Sequence, residues 1–176
     1  MNTYIALLRG INVGGANRLP MSALKTLLER QGCADVRTYI QSGNVILTSP
    51  IASAATLATQ ITAAIRKSHG FEPHVLLLTP RELRNAASAN PFTQADEHPQ
   101  GLHLFFLDGA PRKADLHAIE ALKTNTESFA LKGNVFYLYA PDGVGRAQLA
   151  GRVERLLGVV ATARNWNTVT RLLGMV

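Results

Sequence analysis

The sequence predicts an α+β fold: two ferredoxin-like halves (split βαβ, in the order βαββαβ) in tandem, followed by a C-terminal helix. Three observations predict it. Short apolar runs of strand length alternate with stretches whose apolar residues recur at helical spacing. The order strand, helix, two strands, helix, strand is met once in residues 1–79 and again in 101–176. Each half carries a hairpin signal at the same place, Ser42-Gly43-Asn44 in the first and Lys132-Gly133-Asn134 in the second. The halves share element order and no visible sequence identity. Residues 80–100 read as a linker helix and loop between them.

Each element has its own signal. Tyr4 to Leu8 is short and almost continuously apolar, which suits a buried strand. Met21, Leu24, Leu27 and Leu28 then recur at helical spacing, with Pro20 and Ser22 at the start and Gly32 at the stop. From Asp35 to Thr48 the chain reads as a hairpin. Val36, Thr38 and Ile40 alternate with Arg37, Tyr39 and Gln41, and Gly43 and Asn44 both tolerate positive φ in the turn. Leu57, Ile61, Ala64 and Ile65 stripe a helix over Ser53 to Ser68 that Gly70 ends. His74 to Leu78 closes the first half as a strand.

Thr79-Pro80-Arg81-Glu82 is a capping box with proline at the first helical position. The helix it launches must end near Asn90-Pro91, because a residue before proline is steered away from helical backbone. Leu102 to Leu107 opens the second half. Leu116, Ile119 and Leu122 mark its first helix, and Phe129 to Leu131 and Val135 to Ala140 flank its turn. Leu149, Val153, Leu156 and Leu157 stripe a helix stopped at Gly158. Val159 to Arg164 is a last extended run, and Val169 to Leu173 fits the terminal helix.

Composition sets the bounds. The chain has 176 residues, 47% apolar and 17% charged, which reads as globular. Its net charge of +6 favours anionic partners such as nucleic acid, nucleotides or phosphorylated metabolites. With the single cysteine Cys33 there is no intrachain disulfide framework. No leader opens the chain, and no apolar run nears the roughly 20 residues of a bilayer span. The expectation is a cytoplasmic protein without a membrane anchor. His69, His74, His98, His103 and His117 lack ligand spacing, so no metal is expected, and no other cofactor is assigned.

Three motifs carry the chemistry. In the first, Ala6-Leu7-Leu8-Arg9-Gly10-Ile11-Asn12-Val13-Gly14-Gly15, a strand runs into a glycine-rich loop that continues to Asn17. It is neither a P-loop nor a dinucleotide fingerprint. Its backbone N–H groups can form an anion-binding concavity, to which Arg9 adds a bidentate fork. The competing reading is a connection that needs positive φ at Gly14 and Gly15. In the second, Thr38-Tyr39-Ile40-Gln41-Ser42-Gly43-Asn44, alternation places Arg37, Tyr39 and Gln41 on the sheet face that the helices leave uncovered. Tyr137 and Tyr139 share that phase in the second half, an arrangement like the aromatic sheets that read single-stranded RNA. The competing reading is that these faces are packed, because lone sheets need covering. In the third, Thr162-Ala163-Arg164-Asn165-Trp166-Asn167-Thr168, one of Asn165, Asn167 and Thr168 caps the last helix. Trp166 serves either as a packing anchor or as a stacking surface.

Together the three motifs resemble one bacterial family, the domain-of-unknown-function family 1697, across nearly the whole chain. The resemblance implies a soluble protein and names no activity. Members often carry Ser-Lys where this chain has Ala147-Gln148, which removes a hydroxyl and a charge after a glycine-rich loop.

The functional expectation is binding of an anionic ligand, a nucleotide-like molecule or single-stranded nucleic acid. The candidate binding residues are Arg9, Gly10, Asn12, Gly14, Gly15, Asn17, Arg37, Tyr39, Gln41, Ser42, Asn44, Arg164, Asn165, Trp166 and Asn167. Two alternatives stand beside it. One is an enzyme using the same cluster on a small phosphorylated or carboxylated metabolite. The other is that all three motifs are structural. No nucleophile–base pair is apparent, so no catalytic residue is assigned. Oligomerisation is left open.

Overall fold

The structure, a computed structural model, describes residues 1–176. It has the expected α+β architecture: two antiparallel four-stranded sheets in tandem, each with its own helices, and a helix at the C-terminus. The chain divides into two compact units. One comprises Met1–Arg84 with Leu172–Val176, and the other Asn85–Arg171.

The first unit contains β1 (Asn2–Arg9), α1 (Met21–Arg30), β2 (Ala34–Tyr39), β3 (Asn44–Ser49), α2 (Ala54–His69) and β4 (His74–Leu78). Its sheet order is β2-β3-β1-β4, with β1 central and antiparallel to both neighbours. Alternation along β1 sends Tyr4, Ala6 and Leu8 into one core with Val45 and Leu47 of β3, Leu24 and Leu28 of α1, and Leu57, Ile61 and Ile65 of α2. Ser53 caps α2 by accepting from the Thr56 N–H, and Gly70 ends it in the left-handed region at φ 78°. Cys33 belongs to this core, where burial pushes its thiol pKa up.

The second unit repeats the plan with β5 (Leu102–Leu107), α4 (Leu116–Leu122), β6 (Ser128–Lys132), β7 (Val135–Tyr139), α5 (Val153–Leu157) and β8 (Ala161–Asn165), in sheet order β6-β7-β5-β8. Gly133-Asn134 joins β6 to β7 as a two-residue turn between the paired Lys132 and Val135. Gly133, at φ 55°, supplies the positive φ there. The unit boundary falls within α3 (Pro80–Ser88), whose capping box forms as the sequence predicts. The Thr79 N–H donates to Glu82 Oε2 at 2.7 Å, and the Glu82 N–H to Thr79 Oγ1 at 3.2 Å. The last helix, α6 (Trp166–Leu173), begins three residues earlier than its apolar stripe suggested. No helix is long and apolar enough to cross a membrane.

Neither helix-free face is the open surface that the alternation pattern allowed. In the first unit Ile5, Leu7 and Ile46, at the centre of that face, are essentially inaccessible. Arg37 and Tyr39 are left at its margin. In the second unit Tyr137 is fully buried, and its hydroxyl donates to the Ala86 carbonyl at 2.7 Å. Burial pushes its pKa up to about 12. Tyr139 is buried too, and stacks on Phe92 with ring centres 6.1 Å apart. Alternation assigned the faces of Arg37, Tyr39, Tyr137 and Tyr139. However, β2 ends at Tyr39, so Ile40 and Gln41 lie in the turn and not on the sheet faces the pattern gave them. Alternation also carries no information about what lies over a face.

His103 on β5 gives a pH prediction. Desolvation lowers its pKa to about 4 from an ordinary 6.5, and its buried Nδ1 has no hydrogen-bond partner in the protein. The folded state therefore resists protonation, whereas the unfolded chain takes up a proton near 6.5. Stability is complete above the unfolded value and falls as pH drops from 6.5 towards 4. By linkage the loss between pH 7 and pH 5 is about 2 kcal/mol. Urea unfolding at those two pH values should show it, and His103→Phe should remove that part of the slope. An unchanged slope in the variant would assign the loss to other groups.

Candidate functional site

The first two motifs meet, and one asparagine joins them. β1 ends at Arg9, and the chain turns at Gly10 with φ 78°. Asn12 follows in the left-handed region at φ 55°, which asparagine tolerates better than most side chains. Its Nδ2 donates to the Leu19 carbonyl at 2.8 Å and to the Gln41 carbonyl at 2.9 Å. Its Oδ1 accepts from the Leu19 N–H at 2.8 Å. One side chain thus closes its own loop and fastens it to the loop between β2 and β3.

Asn17 braces the loop from the other side, donating from Nδ2 to the Gly10 carbonyl at 2.8 Å. Between them Val13 and Ala16 form an antiparallel bridge, and Gly14 and Gly15 make its turn with φ of 59° and 80°. Two consecutive positive φ values are what a type I′ hairpin requires, and glycine meets the requirement at least cost. The two glycines are therefore accounted for by a miniature hairpin. Residues Val13 to Arg18 are all exposed.

The second loop is fixed as tightly. Asn44, fully buried, donates from Nδ2 to the Tyr39 carbonyl at 3.2 Å and to Ser42 Oγ at 2.9 Å. Gly43, at φ 75°, accepts from the Leu8 N–H at 2.8 Å. The turn geometry differs from the one expected. Positive φ falls on Gly43 and on Ile40, at 48°, while Asn44 is the first residue of β3. Asn44 is held in the sheet by its pairing with Leu7 and Tyr39, so the chain reverses before it.

The charged residues within the two loops are of one sign. Arg9, Arg18 and Arg37 are exposed, and Tyr39 is half-buried. No carboxylate occurs between Arg9 and Pro20 or between Val36 and Asn44. Arg37 lies two residues back along β2, in a 570 Å³ hollow that it lines with Lys25, Glu29 and Asp35. Two further hollows lie in the unit: one of 660 Å³ between α2 and the start of β4, beside Thr62, Arg66 and His74, and one of 650 Å³ between α1 and α2, beside Leu27, Arg30 and Lys67. Neither of these two is lined by a residue of the motifs. Nowhere do three or more His, Cys, Asp or Glu gather as a metal would require.

The third motif lies in the second unit, where its asparagine is a cap. Asn165 Oδ1 accepts from the Asn167 N–H at 3.0 Å, at the start of α6. Its Nδ2 lies 3.0 Å from the Gln100 carbonyl and 3.3 Å from those of Pro99 and Leu102. Asn167 and Thr168, the other candidate caps, are inside the first turn of α6, and Trp166 is its half-buried first residue. Arg164 donates from Nη1 to the Ala163 carbonyl at 2.8 Å, and desolvation lowers its pKa to about 10.

The family model described as a protein of unknown function (DUF1697) matches residues 1–137. The chain belongs to that family. The matched stretch contains the two motifs that Asn12 joins. Among solved structures, the chain is similar to the conserved bacterial protein SP0830 from Streptococcus pneumoniae. Identity is 22% and the TM-score 0.69, over 98% of this chain and 97% of the other. That likeness extends to the fold. A comparison with curated proteins found no match.

Two residues of this region were not among the candidates drawn from the sequence. Arg18 carried a readable signal, a charge within the glycine-rich stretch. Ile40 carried none, because its backbone is one that its side-chain type disfavours.

Proposed function

We propose that the chain binds an anionic ligand, a nucleotide-like molecule or single-stranded nucleic acid, on the surface made by the Arg9–Gly15 and Tyr39–Asn44 loops. One observation carries this reading: the Asn12 side chain fastens together two loops whose own residues include arginine and no carboxylate. A surface held in one conformation loses little entropy when a ligand docks. Arg9 and Arg18 supply the positive charge there, and Arg37 extends it along β2. The polar atoms of Asn165 are used as a cap, so the reading rests on the first two motifs.

The test is binding of a short fluorescein-labelled oligothymidylate and of a fluorescent ATP analogue, followed by anisotropy against salt. Binding should weaken with salt, with a log–log slope of about 0.7 per phosphate neutralised on a single strand. Arg9→Ala and Arg18→Ala should each lower affinity and slope while the urea midpoint holds. Failure of both probes to bind at low salt would overturn the proposal. So would binding that neither substitution changes. Unfolding of Arg9→Ala would assign that arginine to the scaffold.

A further inference from the structure

Ile40 occupies a position that the stability of the fold does not explain. Its φ of 48° lies in the left-handed region, where a β-branched residue is a clear outlier. Side chains in that region crowd the following carbonyl, and glycine or asparagine would sit there more easily. Burial can compensate for such strain, but Ile40 is 52% exposed. The strain is therefore held in place by the surrounding bonds, and the side chain projects into solvent.

A second apolar side chain projects from the neighbouring loop. Val13 is 71% exposed and is one of the few large apolar residues of the chain in that condition. The Asn12–Gln41 hydrogen bond joins the residue before Val13 to the residue after Ile40. Two exposed apolar groups thus sit on two fastened loops, in a stretch with Arg9 and Arg18 and without carboxylates. A ligand that suits both features has flat apolar faces joined by a polyanionic backbone. A mononucleotide is normally enclosed in a concave pocket, whereas Val13 to Arg18 are exposed throughout.

We infer that Ile40 is a ligand-contacting residue, and that the group it packs against is an unstacked base of single-stranded nucleic acid. The inference rests on the proposed binding function and narrows it to the polymer. Ile40 supplies apolar contact from one loop and Val13 from the other, while the arginines neutralise phosphates. The strained backbone directs the Ile40 side chain outwards.

The experiment compares Ile40→Asn, Ile40→Val and the unsubstituted protein, each with the labelled oligothymidylate and in urea unfolding. Asparagine relieves the strain, so Ile40→Asn should raise the urea midpoint and weaken oligonucleotide binding about fivefold, the lower end of the loss for a base stacked on an aromatic ring, because isoleucine has no ring. Its salt slope should not change, because no phosphate contact is lost. Ile40→Val keeps the branched apolar group and should bind within about twofold of the unsubstituted protein, by the same packing logic. If Ile40→Asn binds as tightly as the unsubstituted protein, the inference is overturned and the proposed function stands. If the unsubstituted protein binds no oligonucleotide, or binds only the ATP analogue or anionic vesicles, the single-strand assignment falls. An unchanged urea midpoint in Ile40→Asn would overturn the strain argument.

Discussion

Gly43→Ala should cost the protein about 3 kcal/mol or more. Two terms contribute. Placing an L side chain at φ 75° costs roughly 1–2 kcal/mol. The new Cβ would also lie 2.7 Å from Leu8 Cβ, 2.8 Å from Ile11 Cδ1 and 3.2 Å from the Leu8 carbonyl oxygen. Leu8 and Ile11 are buried core residues and cannot move aside freely, and overpacking of this kind costs about 1–3 kcal/mol. Relief would require the loop to lift, which would lengthen the 2.8 Å bond from the Leu8 N–H to the Gly43 carbonyl. Gly14→Ala is the control, since its added Cβ meets nothing within 4 Å and only the φ term applies. Urea unfolding of the two variants should separate them clearly. Equal losses would mean that the two loops do not approach as closely as described.

The second large effect belongs to Asn12→Asp, an isosteric change that reverses the hydrogen-bonding sense of one side-chain atom. Nδ2 now donates to the Leu19 and Gln41 carbonyls. In the variant a carboxylate oxygen would face two carbonyl oxygens instead. Two donor bonds are lost and replaced by repulsion, and the carbonyls must find water or remain unpaired. A loss of roughly 2–4 kcal/mol is expected at neutral pH. Lowering the pH until the new carboxyl protonates should recover part of it, because the acid regains one donor. The Leu19 amide, which donates to Oδ1 at 2.8 Å, should remain protected from hydrogen exchange in the original protein. A variant as stable as the original would show that Asn12 does not fasten the loops.

Most of the fold was legible because hydrophobic periodicity and helix-end chemistry act locally. The stripe Leu57, Ile61, Ile65 and the stop at Gly70 found α2, and Thr79 with Glu82 found the start of α3. The candidate residues were legible as polar motifs and not as a set of roles. Asn12, Asn17 and Asn44 look alike in sequence, whether they bind a ligand or brace a loop. Their carbonyl partners come from Leu19, Gln41, Gly10 and Tyr39, and two of those bonds depend on how the chain turns between Asn12 and Leu19. Gly14-Gly15 read equally as an anion cradle and as a turn, and the Val13–Ala16 bridge accounts for it as a turn. Ile40 was out of reach in principle: local preference argues against positive φ there, and the pairing of Asn44 with Tyr39 overrides it. Tyr137 shows the same limit, since alternation assigned its face but not its burial.

The central claim is that the two fastened loops are the ligand-binding surface. It is tested most directly by mapping backbone amide shifts while a short oligothymidylate is titrated into the isotopically labelled protein. The account predicts that the largest changes fall on residues 9–18 and 39–44, with the core strands unmoved. Changes concentrated on the helices instead, or none at all at saturating oligonucleotide, would contradict it.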